Sequence, residues 1–157
     1  MSRVTRSGIL GRGLMLLGGL GAASAGRLAL DRHSLVLLGS SWRGYDGRLL
    51  RDGEHVTVRG DLHTEAGGAP AGEFLATVVA FDDSSHPALA ERHETHTFKL
   101  HDGTIFGTGT AAGLEGTFAV VGGTGRYAGA HGTYVARQRH VELGGDGTAE
   151  LVFDLRL

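Results

Sequence analysis

The fold is decided by the stretch from Glu91 to Arg139, which reads ERHETHTFKLHDGTIFGTGTAAGLEGTFAVVGGTGRYAGAHGTYVARQR. Apolar and polar residues alternate here in short runs, and each run is closed by Asp-Gly, Ala-Gly or Gly-Gly-Thr-Gly. Alternation with a period of two puts one set of side chains on each face of a strand, and the glycine pairs supply tight turns. The stretch therefore predicts a meander of consecutive antiparallel strands.

The same alternation extends in both directions from this meander. Further strands are predicted at 28–38, 54–65, 73–82 and 148–157, with turns at 66–72 and at Asp102-Gly103. The Gly-rich segment 39–53, which carries Trp42, is predicted to be a loop or a short hairpin. The total is about eight strands with no helix after the first 25 residues. Because eight antiparallel strands lose their exposed edges by closing on themselves, we predict an all-β fold, a closed antiparallel eight-stranded barrel, with a sandwich as the alternative.

Composition excludes several classes of protein. The 157 residues fit one domain, 28 Gly against 2 Pro argue against a helical bundle, and 41% hydrophobic residues argue against disorder. A formal net charge of −2 gives no electrostatic footprint for nucleic acid or an anionic membrane, so neither is predicted as a partner. The lack of cysteine excludes disulfides and thiolate chemistry but leaves the compartment open.

The first 25 residues differ from the rest of the chain. Three Arg precede an apolar run at 14–25 that ends in Ala23-Ser24-Ala25, and the first acidic residue is Asp31. A basic start, an apolar middle and a small-x-small cleavage site are typical of a secretory signal peptide, whereas a membrane span needs about 20 apolar residues. Residues 1–25 are therefore predicted to be either a signal peptide or a retained N-terminal arm, with 26–157 forming the barrel. The protein is exported in the first case and cytoplasmic in the second, with no membrane integration in either.

One motif superficially fits a dinucleotide-binding fingerprint. Gly123, Gly125 and Ala128 have its spacing, and Glu142 follows about twenty residues later. The fingerprint holds a pyrophosphate only when a helix follows, because the helix N-terminus supplies the donors. Residues 133–141, TYVARQRHV, have the pattern of a strand instead. The motif is therefore predicted to be a Gly-rich turn, and no nucleotide cofactor is expected.

Candidate catalytic residues lie on the first strand of the meander. Its more apolar face holds Glu94, His96, Phe98 and Leu100, and we expect this face to point into the lumen. Burial and mutual attraction would then shift the pKa values of Glu94 and His96 and make them an acid/base pair. The alternative is that this polar end lies at a solvated rim and has no chemical role.

The nine His of the chain suggest a metal site, but their spacing does not support one. His93 and His96 lie on opposite faces of a strand, and HETH lacks the helical spacing of the zinc-protease pattern. No metal is therefore predicted.

Residues 94–110 and 116–134, ETHTFKLHDGTIFGTGT and GTFAVVGGTGRYAGAHGTY, carry a resemblance to the allene oxide cyclase and dirigent superfamily. Members share a strand, a Gly-Gly-Thr/Ser-Gly turn, an aromatic two residues on, and a small-x-Gly before the next strand. The likeness covers Glu91 to about Arg139 and is general in strand count upstream. It implies an eight-stranded barrel with a largely apolar lumen, and a homo-oligomer, either a dimer or a trimer.

The resemblance also implies functions. Plant members steer ring closure of an unsaturated fatty-acid epoxide or the coupling of phenolic radicals, and bacterial relatives include cyclases that close polyketide rings, among them intramolecular [4+2] cyclases. Dirigent proteins carry arginines after the turn, where this chain has Ala128 and His131, which weakens the radical-coupling interpretation. Plant allene oxide cyclases use a glutamate on the first strand, and Asp31 is the nearest candidate here.

Phe98 on the inward face of the first strand of the meander and three other aromatic residues are candidates for substrate contact. Tyr127 and Tyr134 are expected either to line the pocket or to brace the barrel, and Trp42 either shapes the mouth or contacts another subunit.

Two classes of function follow. The first is a cofactor-free cyclase whose lumen folds an apolar, unsaturated, polyketide- or fatty-acid-like substrate into its reactive conformation, with a few hydrogen-bond donors polarising a carbonyl. The second is a non-catalytic barrel of lipocalin or dirigent type that binds a small apolar ligand.

Overall fold

A computed structural model describes residues 31–44, 50–65, 68–83 and 89–157 of the chain. These residues form a closed barrel in which each strand pairs with its neighbours in sequence and the last strand pairs with the first. The strands are β1 (Arg32–Arg43), β2 (His55–His63), β3 (Pro70–Ala80), β4 (Arg92–Leu100), β5 (Gly103–Ala111), β6 (Glu115–Gly125), β7 (His131–Arg139) and β8 (Thr148–Arg156). The predicted eight-stranded antiparallel barrel is confirmed, and its closure excludes the sandwich.

The two ends of the barrel differ in what they carry, and we name them by one residue each. At the Arg92 end the even-numbered strands begin and the odd-numbered strands finish. At the opposite Leu157 end β1 begins and β8 finishes, and the N–H of Leu157 donates a hydrogen bond of 3.3 Å to the carbonyl oxygen of Asp31. The predicted leader, residues 1–25, lies outside the described residues. Within the described ranges, no helix is long and apolar enough to cross a membrane.

Alternating side chains separate the lumen from the outer face. The alternation of the last strand predicts that Ala149, Leu151, Phe153, Leu155 and Leu157 share one face. The first four are buried in β8, whereas Leu157, which follows the strand, is half-buried, as are Val152 and Asp154 on the other face. The middle of the lumen is filled by large side chains that are almost fully buried, namely Leu37, Leu62, Phe98, Ile105, Phe118, Tyr134 and Phe153. The described strands therefore enclose a packed apolar core, in which burial of these side chains supplies most of the stabilising free energy.

The predicted loop at 39–53 is wrong in its first part, because residues 39–43 continue β1 and pair with β2. A β-bulge accompanies this extension. Ser41 and Trp42 together oppose the single residue Gly60 of β2, and Ser41 has a left-handed φ of 55°. Since the extra residue reverses the alternation, the side chain of Trp42 turns toward the lumen instead of solvent.

The Gly-Gly-Thr-Gly run is not the turn that the sequence predicted. Residues 122–125 complete β6, and the chain reverses over 126–130, where the N–H of Ala130 donates to the carbonyl oxygen of Tyr127. A Cβ on Gly123 would lie 2.6 Å from the carbonyl oxygen of Thr104, so β5 and β6 approach closely only because this residue lacks a side chain. The strand β7 follows instead of a helix, as predicted, which removes the basis of the dinucleotide fingerprint.

Two other boundaries shift by a few residues. β3 begins at Pro70, inside the predicted turn at 66–72. The predicted hairpin between β4 and β5 forms, but its two loop residues are His101 and Asp102, because Gly103 already pairs with Leu100. The inward and outward faces of these strands are unaffected.

We expect Phe98→Ala to lower the free energy of unfolding by about 3–5 kcal/mol, because the ring is 0% exposed and its removal leaves a cavity. Phe106 on the neighbouring strand β5 is 38% exposed and supplies a matched control. Phe106→Ala is expected to change the same quantity by less than about 1 kcal/mol. Urea denaturation followed by circular dichroism measures both, and equal losses would contradict the assignment of lumen and outer face.

Candidate functional site

The strand β4 directs Arg92, Glu94 and His96 into the barrel, together with the apolar Phe98. Arg92, Glu94, His96 and Phe98 are buried, whereas His93 and Thr97 between them are only half-buried. The inward face predicted for this strand is therefore confirmed. Glu94 is 3% exposed and His96 2%, so these two side chains do not lie at a solvated rim. Their catalytic role stays a prediction.

Four buried side chains form one hydrogen-bonded chain, which we call the lumen relay: Arg92, Glu94, His96 and Tyr134. The Nε of Arg92 donates to Oε1 of Glu94 at 2.6 Å, and Nε2 of His96 lies 2.6 Å from Oε2 of the same carboxylate. The other imidazole nitrogen, Nδ1, is hydrogen-bonded to the hydroxyl of Tyr134 on β7. The relay thus leads from a guanidinium near the rim of the barrel to a phenol in its middle.

Arg92 anchors the outer end of the relay, and the sequence interpretation did not include it. Its guanidinium also donates to the carbonyl oxygens of Ala90 and Gly113, each at 3.2 Å. The sequence contains the information, because Arg92 lies two residues before Glu94 and alternation in β4 places both on the same face of the strand. Arginine is usually exposed, and only the paired carboxylate makes its burial favourable here.

The tyrosine end of the relay is held between aromatic rings. Tyr134 stacks on Phe118, with ring centroids 5.2 Å apart, and on Phe153 at 4.7 Å. Opposite His96, β5 carries Gly107, on which a Cβ would lie 2.5 Å from Cε1 of Tyr134. A side chain at this glycine would therefore prevent the phenol from reaching the imidazole.

The electrostatics of the relay favour an ionised carboxylate and a neutral phenol. Burial raises the pKa of Glu94, but the hydrogen bond from His96 and the attraction of His96 and Arg92 outweigh burial, so that the pKa lies below its usual value. Burial, aided by the negative charge of Glu94, raises the pKa of Tyr134 far above its usual range. Tyr134 therefore stays protonated at physiological pH and acts as a hydrogen-bond donor.

The direction of the hydrogen bond between Tyr134 and His96 depends on which imidazole nitrogens carry a hydrogen. Because ionised Glu94 only accepts, Nε2 of His96 must carry a hydrogen. When the imidazole is neutral, Nδ1 accepts the hydrogen bond from the Tyr134 hydroxyl. When the imidazole is protonated, Nδ1 donates to the phenol oxygen, and the O–H of Tyr134 is free to donate to another group. The positions of the hydrogens on the imidazole thus set the direction of the hydrogen bond between His96 and Tyr134.

The structure brings some of the predicted site residues together and separates others. Phe98 and Tyr134 contact each other beside His96, with ring centroids of the first two 5.2 Å apart. Trp42 lies at the Arg92 end, where its ring meets Phe74 at a centroid distance of 5.6 Å. The structure therefore places it at the mouth of the lumen.

Two predicted residues lie away from the relay, at the Leu157 end. Tyr127 is buried in the turn between β6 and β7 and contacts the backbone of Gly123 there. Asp31 is exposed and precedes β1. The structure thus gives Tyr127 a bracing position and does not bring Asp31 to the lumen.

The described residues contain no cluster of three His, Asp or Glu side chains that would hold a metal ion. The polar atoms of the relay are all used in contacts with one another and with backbone carbonyls. The site therefore consists of the relay, the rings around it and the mouth at the Arg92 end.

Comparison with solved structures identifies proteins that share this barrel. A pterocarpan synthase dirigent protein is 15% identical, with a TM-score of 0.63 over 90% of this chain and 98% of its own. A nonspecific heme-binding cyclase that catalyses [4+2] cycloaddition during neoabyssomicin biosynthesis is 17% identical, with a TM-score of 0.59 over 81% of this chain and 67% of its own. A pyocyanin demethylase is 18% identical, with a TM-score of 0.56 over 79% of this chain and 99% of its own.

These likenesses are structural. No protein-family model matches the sequence, and no curated protein matches it either. At such low identities the likeness establishes the fold: this chain has the barrel of dirigent proteins and of [4+2] cyclases. The fold predicted from the resemblance of residues 91–139 is thereby confirmed.

We expect Glu94→Gln to lower the free energy of unfolding by about 3–5 kcal/mol, because it leaves the buried charge of Arg92 without its partner. Glu115→Gln is the matched control, since Glu115 pairs with Arg137 but its side chain is 61% exposed. The control is expected to cost at most about 1 kcal/mol. Urea denaturation at pH 7 measures both, and equal effects would show that Glu94 does not neutralise a buried charge.

The contribution of Glu94 to stability should vanish in acid. Its pKa is lowered on folding, so this contribution is fully present above the pKa of an unfolded glutamate, about 4.3. It is lost as the pH falls through the lower pKa of the folded state. The difference in unfolding free energy between wild type and Glu94→Gln should therefore be constant from pH 7 to 5 and shrink below about pH 4. A difference that grew on acidification would contradict the lowered pKa.

Proposed function

We propose that this protein is a cofactor-free cyclase that binds an apolar, unsaturated substrate in the barrel and promotes ring closure, with Tyr134 as the hydrogen-bond donor. One observation carries the proposal: a protonated phenol, oriented by the buried chain of His96, Glu94 and Arg92, lies among aromatic rings. A donor in such surroundings is already oriented and is not weakened by water.

The chemistry needs a donor and a shaped apolar surface. In an intramolecular [4+2] closure, a conjugated diene and an alkene on one chain exchange π bonds for two carbon–carbon σ bonds, and no atom is gained or lost. A hydrogen bond to a carbonyl conjugated with the alkene makes that alkene more electrophilic. Holding the chain folded removes much of the entropic part of the barrier. When Nδ1 of His96 donates to the phenol oxygen, the Tyr134 hydroxyl is free to donate to such a carbonyl.

Substrate entry is proposed at the Arg92 end. Lumen-facing residues there are only half-buried, among them Val56, Val58 and Val78, whereas Leu62 further along β2 is fully buried. The ring of Phe74 contacts both Trp42 at this mouth and His96, with centroid distances of 5.6 Å and 5.1 Å. A substrate that reaches Tyr134 must therefore displace side chains that pack the described lumen, which favours flexible entry over a preformed cavity.

The structural neighbours support the class of reaction. One of them is named for [4+2] cycloaddition and another for pterocarpan synthesis, so this barrel is compatible with ring-forming chemistry. From the resemblance of residues 91–139 to the allene oxide cyclase and dirigent superfamily, we propose a polyketide- or fatty-acid-like substrate. A homo-oligomer is also proposed, because Val36, Phe106 and Val121 expose large apolar surfaces on the outside of the barrel.

A second function, ligand binding without catalysis, is favoured by a different observation. Every buried polar side-chain atom in the described part of the chain has a hydrogen-bond partner, so the relay is complete without a substrate. Such a network also serves to fix the orientation of core side chains. In this case the barrel would hold a small apolar ligand at its mouth, as a lipocalin or dirigent protein does.

Turnover of a model substrate separates the two functions. Wild-type protein is incubated with an acyclic triene ketone, in which a conjugated diene is tethered to an α,β-unsaturated ketone, and the bicyclic product is quantified by chromatography. Tyr134→Phe is expected to lower the rate about 10²-fold, because it removes the donor and keeps the ring. Tyr127→Phe, at the other end of the barrel, is the matched control and should keep the wild-type rate. Binding with no acceleration in the wild type would favour the ligand-binding function.

A further inference from the structure

We propose that the indole of Trp42 occupies a ring-binding slot at the mouth of the lumen, and that a planar conjugated ring with a hydrogen-bond donor on its edge displaces the indole. The inference deepens the proposed function and rests on it, because the slot leads toward His96 and Tyr134. It adds the chemical class of the group that is recognised at the entrance.

One wall of the slot is formed by the backbone of β1 and β2. A Cβ on Gly60 would lie 2.5 Å from Cζ3 of the Trp42 ring, and one on Gly39 would lie 2.5 Å from Cη2. The indole therefore lies against β1 and β2 at two positions where any side chain would collide with it. Two glycines at lumen-facing positions of adjacent strands thus leave the backbone uncovered, and the indole lies directly against it.

The inner end of the slot is aromatic. Trp42 meets Phe74 edge to face, with an interplanar angle of 80°, and the centroid of Phe74 is 5.1 Å from that of His96. The imidazole in turn contacts Phe118, with centroids 4.7 Å apart. The slot is thus the outermost position in a continuous row of rings that ends at the relay. A ring bound in it extends this row without a gap.

The outer end of the slot supplies a hydrogen-bond acceptor. The indole Nε1–H donates to the carbonyl oxygen of Gly147, in the segment before β8, at 2.7 Å. A ligand ring that carries an N–H or O–H at the corresponding edge would make the same hydrogen bond. The slot therefore discriminates between rings with and without a donor, as well as between planar and bulky groups.

The indole of Trp42 lies at a position from which a ligand can displace it. Trp42 is the exposed member of the row at 37%, and it follows the bulge residue Ser41, whose left-handed φ of 55° is uncommon for a residue with a side chain. Relaxation of this residue into an extended conformation would offset part of the ring contact that is lost when the indole leaves. The same indole therefore closes the mouth in the absence of a ligand and yields to a ring that binds better.

The experiment uses the full-length protein grown with 5-fluorotryptophan. Trp42 is the one tryptophan of the chain, so the ¹⁹F spectrum reports this position alone. The probes are 2-naphthol, which has a donor, and naphthalene, which has none. We expect 2-naphthol to move the resonance toward its value in unfolded protein in a saturable manner. Naphthalene should need about tenfold higher concentration, which corresponds to one hydrogen bond.

Two variants test the slot itself. Trp42→Ala vacates it and is expected to bind 2-naphthol about tenfold more tightly than wild type, by naphthol fluorescence, because no indole has to be displaced first. Gly60→Ala places a methyl group in the slot and should abolish the saturable shift. Arg43→Ala removes the next side chain, which points outward to Asp61, and is the control that should behave as wild type.

The inference is overturned if 2-naphthol leaves the wild-type resonance unmoved, or if it binds to Trp42→Ala no more tightly than to wild type. These readouts do not depend on turnover. Displacement of Trp42 without any acceleration of ring closure would therefore contradict the cyclase function and support the ring-binding slot. Ring closure with an unmoved resonance would refute the slot and leave the cyclase standing.

Discussion

The polar interior of this barrel depends on one buried ion pair, between Arg92 and Glu94. A guanidinium and a carboxylate lose their hydration inside an aromatic core, and their mutual attraction offsets this loss only when the remaining donors and acceptors are also satisfied. Two backbone carbonyls complete the guanidinium, and His96 completes the carboxylate. The hydrogen bond to the carboxylate fixes the orientation of the imidazole, and the hydrogen bond to the imidazole fixes the orientation of the Tyr134 phenol. The order of the relay is thus a consequence of neutralising one cation.

The architecture could be predicted because it depends on local patterns. Alternation in β4 and β8 assigned the inward face correctly, and the pattern of residues 133–141 correctly predicted a strand where a dinucleotide fingerprint needs a helix. The errors lie at glycines, because glycine occurs both in turns and at strand positions where another group approaches closely. Glycine at 39 and at 122–125 predicted loop and turn, yet these residues belong to strands. Gly39, Gly123 and Gly125 belong to strands because another group approaches each of them closely, and a single sequence does not show that group.

The site could be predicted in part, for the same physical reason. Glu94 and His96 share a strand, so their proximity follows from the alternation of one segment. Tyr134 and Trp42 reach the site through strand pairing and a bulge, which bring together residues that are distant in the sequence. The space that Gly107 leaves for the phenol is likewise a property of two strands. The resemblance implied an apolar lumen and residue type made Tyr134 a candidate for its lining, but only the register shows which ring contacts the imidazole.

Because β1 pairs with β8, the eight strands form a closed ring, and β8 and β1 are the one neighbouring pair that is not connected by a loop. Asp31 and Leu157 are hydrogen-bonded neighbours, so a short linker between them would close the backbone, and a new cut at the His101–Asp102 hairpin would keep all eight strand pairs. In the natural order, β1 and β8 are the pair farthest apart in sequence, and their contact carries the largest loop-closure entropy. In the permuted order that contact becomes local, and β4 with β5 becomes the distant pair. The same native barrel would then be reached with a different last step, which makes the position of the cut a determinant of folding order and not of structure.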